Sequence, residues 1–284
     1  MKLFVQQLTV MDFSYLHPRR GLVGESWWLD VQLEGGLDEQ GMVLDFGDVK
    51  RQVKALVDEQ FDHRLLVPAE HPRLSLQEEE LLFHTEGGEL LRHRGPATAV
   101  RLIPSAAVSE ESVSNAIHAA LRPLLPGNVE RVRLRLRREE IEGAWYCYSH
   151  GLRRHCGNCQ RIAHGHRSRI EILRDGVRAP ELESRWAERF KDIYIGTQED
   201  LAAITRHGDQ TYFRFAYRAE QGAFELELPA RRCYLLDTES TVENIARHIR
   251  QRLETERSGR HFRVTAFEGI GKGAISESPA MQGR

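Results

Sequence analysis

The segment Cys159-Gln160-Arg161-Ile162-Ala163-His164-Gly165-His166 sets a thiol close to two imidazoles, and His150 stands a short way upstream. The residues that follow, Arg167-Ser168-Arg169-Ile170-Glu171-Ile172-Leu173, alternate like a strand, so His164 and His166 are predicted to project from one face. Two imidazoles on one strand face, joined by a third from a neighbouring strand, form an open zinc site. Three neutral nitrogens hold the metal and the fourth position is left for water or substrate. A nearby cysteine is then a proton-transfer group rather than a ligand. The same stretch also contains Cys156-Gly157-Asn158-Cys159, which with His164 and His166 makes a closed Cys₂His₂ set of workable spacing. The spacing alone leaves both arrangements open.

The elements that must carry these groups belong to a chain of 284 residues, enough for one large or two ordinary domains. With 40% hydrophobic and 29% charged residues it reads as a globular protein, and a formal charge of −2 gives no global field favouring nucleic acid or a membrane surface. Neither a signal peptide nor a transmembrane span is read from the chain, and a cytoplasmic location is expected. The four cysteines are too few for a disulfide scaffold of this size. Three of them, Cys147, Cys156 and Cys159, gather near the histidines, a grouping that favours catalysis or metal over disulfides.

The sequence is predicted to be duplicated at an offset of roughly 130 residues. Phe13-Ser14-Tyr15-Leu16-His17 resembles Tyr146-Cys147-Tyr148-Ser149-His150, and Ser112-Val113-Ser114-Asn115-Ala116-Ile117 resembles Thr241-Val242-Glu243-Asn244-Ile245-Ala246. The latter pair open amphipathic stretches, with Ser112 and Thr241 read as helix caps. Each half carries a hairpin, Glu80 to His93 and Gln210 to Leu228, with glycine in its turn. Each also has a late strand ending near a glutamate, Glu139 or Glu140 in one and Glu268 in the other. A helix is expected from Phe46 to Gln60, capped by Asp45 and buried through Val49, Val53, Leu56 and Val57. Leu182 to Phe190 is its counterpart. Strands around grouped helices, without a βαβ rhythm, indicate α+β with antiparallel sheets and helices on one face. The boundaries expected are 1–143 and 144–275, with a disordered polar tail at 276–284.

Gly41-Met42-Val43-Leu44-Asp45-Phe46 and Phe61-Asp62-His63-Arg64-Leu65-Leu66 resemble the "GMVxDF…LDHxxLN" stretch of the 6-pyruvoyltetrahydropterin synthase / 6-carboxytetrahydropterin synthase family, of the tunnelling-fold (T-fold) superfamily. His150, Cys159, His164-Gly165-His166, Ser240 to Asn244 and Glu268 carry the resemblance in the second half. It implies two tandem T-fold domains that assemble into a barrel. It further implies zinc held by His150, His164 and His166, and proton transfer by Cys159 with the Asp62-His63 pair. Glu268 and Thr241 are the implied substrate contacts. Without the resemblance, Asp62-His63 reads as a surface pair at a helix end.

The halves depart from the family in complementary ways. The first lacks the metal motif; it reads Gly24-Glu25-Ser26 in that place, although His17 persists. The second reads Lys191-Asp192-Ile193-Tyr194 where Asp-His belongs. One composite site per chain is expected from this. The implied substrate is 7,8-dihydroneopterin triphosphate, and the spacing from Cys159 to His164 favours the 6-carboxytetrahydropterin product over the 6-pyruvoyl one. Arg153, Arg154, Arg161, Arg167 and Arg169 read equally as a triphosphate pocket or a basic rim. A catalytically silent T-fold binding protein with a structural zinc is the competing reading. Like the family's single-domain members, the chain is expected to form a homo-oligomer, a trimer or a multiple of one.

Overall fold

The computed structural model describes residues 1–78 and 80–279. The first half runs β1 (Lys2–His17), β2 (Gly21–Gly35), α1 (Phe46–Gln60), β3 (Leu65–Pro68), β4 (Leu74–Gln77), β5 (Glu80–His84), β6 (Leu90–Arg94), β7 (Val100–Ile103), α2 (Glu110–Leu121) and β8 (Val129–Arg138). The second opens with β9 (Trp145–His150), β10 (His164–Arg174), β11 (Val177–Arg178), α3 (Pro180–Phe190) and β12 (Ile193–Thr197). It continues through β13 (Leu201–His207), β14 (Gln210–Ala219), β15 (Gly222–Pro229), β16 (Cys233–Leu236), α4 (Val242–Glu256), β17 (Phe262–Phe267) and β18 (Gly273–Glu277).

Three sheets result. The first has the order β7-β3-β1-β2-β8, and the second β16-β12-β9-β10-β17-β18 with β11 beside β10. Central strands pair antiparallel as expected, while β3, β7, β12 and β16 join parallel, because a connection crosses over before each. The helices lie on one face of each sheet. Val49, Val53, Leu56 and Val57 of α1 and Val113, Ile117 and Leu121 of α2 close over Phe13, Trp27 and Leu29, and Leu182, Trp186, Ile245 and Ile249 do the same on β9, β10 and β17. Asp45 caps α1 through Gly47 and Asp48, and Thr241 caps α4. The cap of α2 is Ser109 rather than Ser112, since the helix starts one turn earlier and Ser112 completes a capping box. The third sheet, β13-β14-β15-β6-β5-β4, unites the hairpins of both halves through β15 and β6, with Leu226 opposite His93.

The strand β18 pairs Ser276 with Val264 and Glu277 with Arg263, so these two residues are strand and not the disordered tail expected from 276. Backbone hydrogen bonds to β17 hold those residues, which outweighs their polar composition. Residues 280–284 of that tail lie outside the described residues. No helix among the described residues is long and apolar enough to cross a membrane.

The strand registers correct the alignment of the halves. Tyr15 pairs with Val23, Ser14 with Gly24 and Phe13 with Glu25, while His150 pairs with His164, Ser149 with Gly165 and Tyr148 with His166. His63 N donates to Asp12 O at 2.7 Å, and Asp192 N to Cys147 O at 2.8 Å. Both His63 and Asp192 have positive φ, 52° and 56°. Thus Tyr15, not His17, corresponds to His150, and Val23-Gly24-Glu25, not Gly24-Glu25-Ser26, corresponds to His-Gly-His. His17 instead accepts the amides of Arg19 and Arg20 in the β1–β2 turn. A shift of two residues in β1 is invisible to short sequence matches.

The halves meet face to face at this corresponding point. Ser14 and Ser149 hydroxyls lie 2.7 Å apart, buried. A Cβ on Gly24 would fall 1.8 Å from Tyr148 O and 2.7 Å from His166 N, and one on Gly165 would fall 2.7 Å from Gly24 Cα. These neighbours are backbone and cannot swing aside. Gly24→Ala is therefore expected to destabilise the protein by about 4 kcal/mol or more, in the exceptional tail of single substitutions. Urea unfolding checks this, and a loss under about 1 kcal/mol would mean that the halves do not pack here.

Candidate metal centre and proton-transfer groups

His150, His164 and His166 are all buried, and their ligand atoms lie within 4.8 Å of one another. Strand register explains the convergence: His150 sits opposite His164 at the end of the β9–β10 ladder, and His166 follows on the same face. His150 Nδ1 is 2.9 Å from Ser240 O, and His164 Nδ1 is 2.9 Å from Arg161 O. A carbonyl only accepts, so each Nδ1 carries the proton and each Nε2 presents its lone pair. Burial, reinforced by neighbouring cationic groups, pushes the pKa of both rings well below the ordinary value and keeps them neutral.

His150 Nε2 and His166 Nε2 are buried without a hydrogen-bond partner. Orphaned buried nitrogens are costly. Three convergent imidazoles fit zinc, which takes nitrogen ligands in tetrahedral sites.

Asp12, which the sequence reading did not single out, reaches this cluster from the other half. Its Oδ1 lies 3.2 Å from His166 Nδ1, and its Oδ2 lies 3.1 Å from Lys272 Nζ. Ser26 Oγ donates to Oδ1 at 2.5 Å. Burial raises the pKa of this carboxyl, but the charges of His166 and Lys272 and the Ser26 hydroxyl together hold it well below the usual range. A charged residue within the apolar run Val10-Met11-Asp12-Phe13 was the available signal.

The Asp62-His63 pair arrives from the turn after α1. Asp62 Oδ1 accepts from Asp12 N at 2.8 Å, and Asp62 Oδ2 lies 2.5 Å from His63 Nδ1. The His63 and His164 rings stand 5.0 Å apart. Cys159 on its 3₁₀ turn completes a second group with His63 and His164, again within 4.8 Å. Burial disfavours protonation of His63, yet the hydrogen bonds to Asp62 and Cys159 and their negative charges raise its pKa to about 10.

Glu268 Oε1 lies 4.0 Å from His166 Nε2, at the edge of the cluster. The Thr241 hydroxyl is engaged by Asn244 N at 3.4 Å, beside the Ser240 that holds His150. Cys156 is exposed and joins neither cluster among the described residues, which removes the Cys₂His₂ arrangement. The five arginines do not form one pocket. Arg153 and Arg154 pair with Glu199, Arg167 donates to Glu139 O and stacks on Trp145, and Arg169 stacks on Phe267. Only Arg161 points to the site, donating to Asp62 O and His63 O at 3.3 and 3.4 Å.

The sequence matches the family described as 6-pyruvoyl tetrahydropterin synthase twice, over residues 9–148 and 142–278. The chain belongs to that family. No curated protein matches it in sequence. Among solved structures it is similar to a catalytic-residue mutant of the Plasmodium vivax 6-pyruvoyltetrahydropterin synthase, at 18% identity and a TM-score of 0.38, covering 48% of this chain and 97% of that one. The Plasmodium falciparum 6-pyruvoyl tetrahydropterin synthase is similar at 15% identity and 0.39, covering 48% and 90%. Within this family member both halves furnish side chains to one cluster.

Two outcomes are expected. If the three histidines hold zinc, Asp12→Ala should weaken its binding about 10- to 100-fold, the size of an outer-shell contribution, as measured against a competing chelator. Asp12's backbone contact to Asp62 survives this change, and an unaltered affinity would remove Asp12 from the metal site. In the zinc-free protein, the raised pKa of His63 adds stability that is complete below about pH 6.5 and is lost as pH climbs through about 10. The stability difference between wild type and His63→Gln, from urea unfolding, should therefore shrink across that window; a pH-independent difference would contradict the Asp62 pairing.

Proposed function

We propose that the protein is a zinc-dependent tetrahydropterin synthase acting on 7,8-dihydroneopterin triphosphate to give the 6-carboxy product. The observation carrying this reading is the meeting of Asp62-His63 from one half with Cys159 and the three histidines from the other. His150, His164 and His166 would hold the zinc, leaving a position for the substrate's side-chain hydroxyls. Bound zinc supplies Lewis acidity, which lowers the pKa of those hydroxyls and polarises the developing carbonyl.

The remaining work falls to the chain's own groups. Cys159 Sγ, as thiolate, removes a side-chain proton, which suits a thiol set beside cationic groups. His63 Nε2, with Nδ1 tied to Asp62, moves the second proton; the Asp62 contact fixes ring orientation as well as protonation. Glu268 accepts the N–H groups of the aminopyrimidine edge and so orients the ring, with Thr241 as a further contact. The two T-fold domains, expected at 1–143 and 144–275, are assigned with the second extended to Glu277, the end of β18. The edge strands β7, β8, β16 and β18 offer unpaired backbone groups, which supports assembly as a trimer or its multiple, closing the sheets into a barrel.

Zinc-loaded protein incubated with dihydroneopterin triphosphate, with products identified by mass, tests the reaction directly. Cys159→Ala and His63→Ala should each lose roughly 10²–10⁴-fold in turnover while keeping zinc. Because His63 and Cys159 meet within one chain, mixing the two variants is expected to restore nothing. Full activity in His63→Ala would defeat the composite site.

A further inference from the structure

Two groups of arginines stand apart in this chain. Arg20, Arg137, Arg138, Arg153 and Arg178 each face a carboxylate, which raises the pKa of each. Arg64 and Arg101 are shifted the other way, Arg101 by burial and Arg64 by burial with repulsion from Arg101 added.

Arg64, Arg101 and Arg161 gather around the turn Phe61 to Arg64 that carries His63. Arg161 gives its carbonyl to His164 and its guanidinium to the carbonyls of Asp62 and His63. Arg64 follows His63 directly and donates to Val100 O at 3.3 Å and to Glu59 O. Arg101 comes next, because Leu65 pairs with Val100 and Leu66 with Arg101 in the parallel β3–β7 ladder. Its guanidinium lies 4.8 Å from the Phe61 ring centre. Arg64 Nε and Arg101 Nε are buried without acceptors. Among the described residues no carboxylate forms an ion pair with any of the three, whereas 27 such contacts occur elsewhere in the molecule. Repelling, partly desolvated guanidiniums are unfavourable side by side unless an anion joins them.

We propose that Arg64, Arg101 and Arg161 form a polyphosphate subsite that takes the triphosphate of the substrate, an inference resting on the functional reading above. Guanidinium forks match phosphate oxygens two at a time. The reacting side chain sits at the histidines and the triphosphate extends along Arg161 and Arg64 towards Arg101. The half without the metal thus supplies two of the three cations as well as the acid/base pair.

Inorganic tripolyphosphate is the probe, titrated calorimetrically into the zinc-loaded full chain. Arg101→Gln should weaken its binding about tenfold, and Arg64→Gln with Arg101→Gln should weaken it further, in the range of charge-assisted hydrogen bonds. Zinc content and circular dichroism should stay as in wild type, and Arg101→Lys should recover part of the affinity. With dihydroneopterin triphosphate the Arg101→Gln loss should appear in KM and not in kcat. No binding to wild type, or equal binding to wild type and the double variant, overturns the subsite even if turnover is observed. Arginine-dependent binding of tripolyphosphate without any pterin turnover keeps the anion subsite and removes the proposed reaction.

Discussion

The whole histidine cluster depends on two backbones touching where β2 meets β10. Gly24 and Gly165 lack side chains, so the halves approach until the Ser14 and Ser149 hydroxyls are in hydrogen-bond contact. That approach carries Asp12 to His166, and it brings the turn after α1 within reach of His164. With a methyl group at either glycine, the groups of the first half would stand off from those of the second. Catalytic geometry tolerates little of that, since effective concentration falls steeply with misplacement.

The contact is nearly two-fold symmetric, and its symmetry shows what became of the other site. At the positions matching His150 and His166 stand Tyr15 and Glu25. Arg138 matches Glu268, because Leu136 and Ala266 hold the same register positions against Leu29 and Ile170. Arg138 Nε meets Glu25 Oε2 at 2.9 Å, and Arg20 makes a two-pronged contact with Asp192, the counterpart of His63. Where the second half gathers three imidazoles, the first half holds arginine–carboxylate pairs. Cys147, at the place of Asp12, is buried and its pKa is pushed up to about 12, which makes it unreactive. The Arg20–Asp192 pair ties the two halves together at this point.

The hairpins reinforce the same junction. Each half's hairpin alone would leave an open edge, but β6 and β15 zip the two into a six-stranded sheet over Leu81, Phe83, Phe215 and Phe224. Glu89 of one half takes Arg231 and Arg232 of the other. Gln221 in the second hairpin turn bonds Asn158 and Arg161, so the bridging sheet also steadies the turn carrying Cys159. A chain that holds both halves in register by a covalent link, a shared sheet and a close glycine contact has little need of exchange between subunits to complete its site.

The residue sequence by itself determined the local elements and the chemistry on offer. The periodicity of Val49, Val53, Leu56 and Val57 with Asp45 before them specifies α1, because helical spacing and capping are local properties. Alternation after His166 puts His164 and His166 on one strand face for the same reason, and the split between an Asp-His half and a His-Gly-His half was legible without coordinates. What only the tertiary structure decided is which distant residues meet. Asp12 gives no local sign of its partner, and the registers that replace His17 by Tyr15 depend on strand pairing rather than on resemblance. The fate of the arginines also rests on neighbours far away in the chain: Arg153 and Arg167 are neutralised or tied down, while among the described residues no carboxylate meets Arg64 or Arg101, ordinary by sequence, and their buried Nε atoms have no acceptor. Charge and propensity are written residue by residue, but compensation is a property of packing, and packing joins residues more than a hundred positions apart.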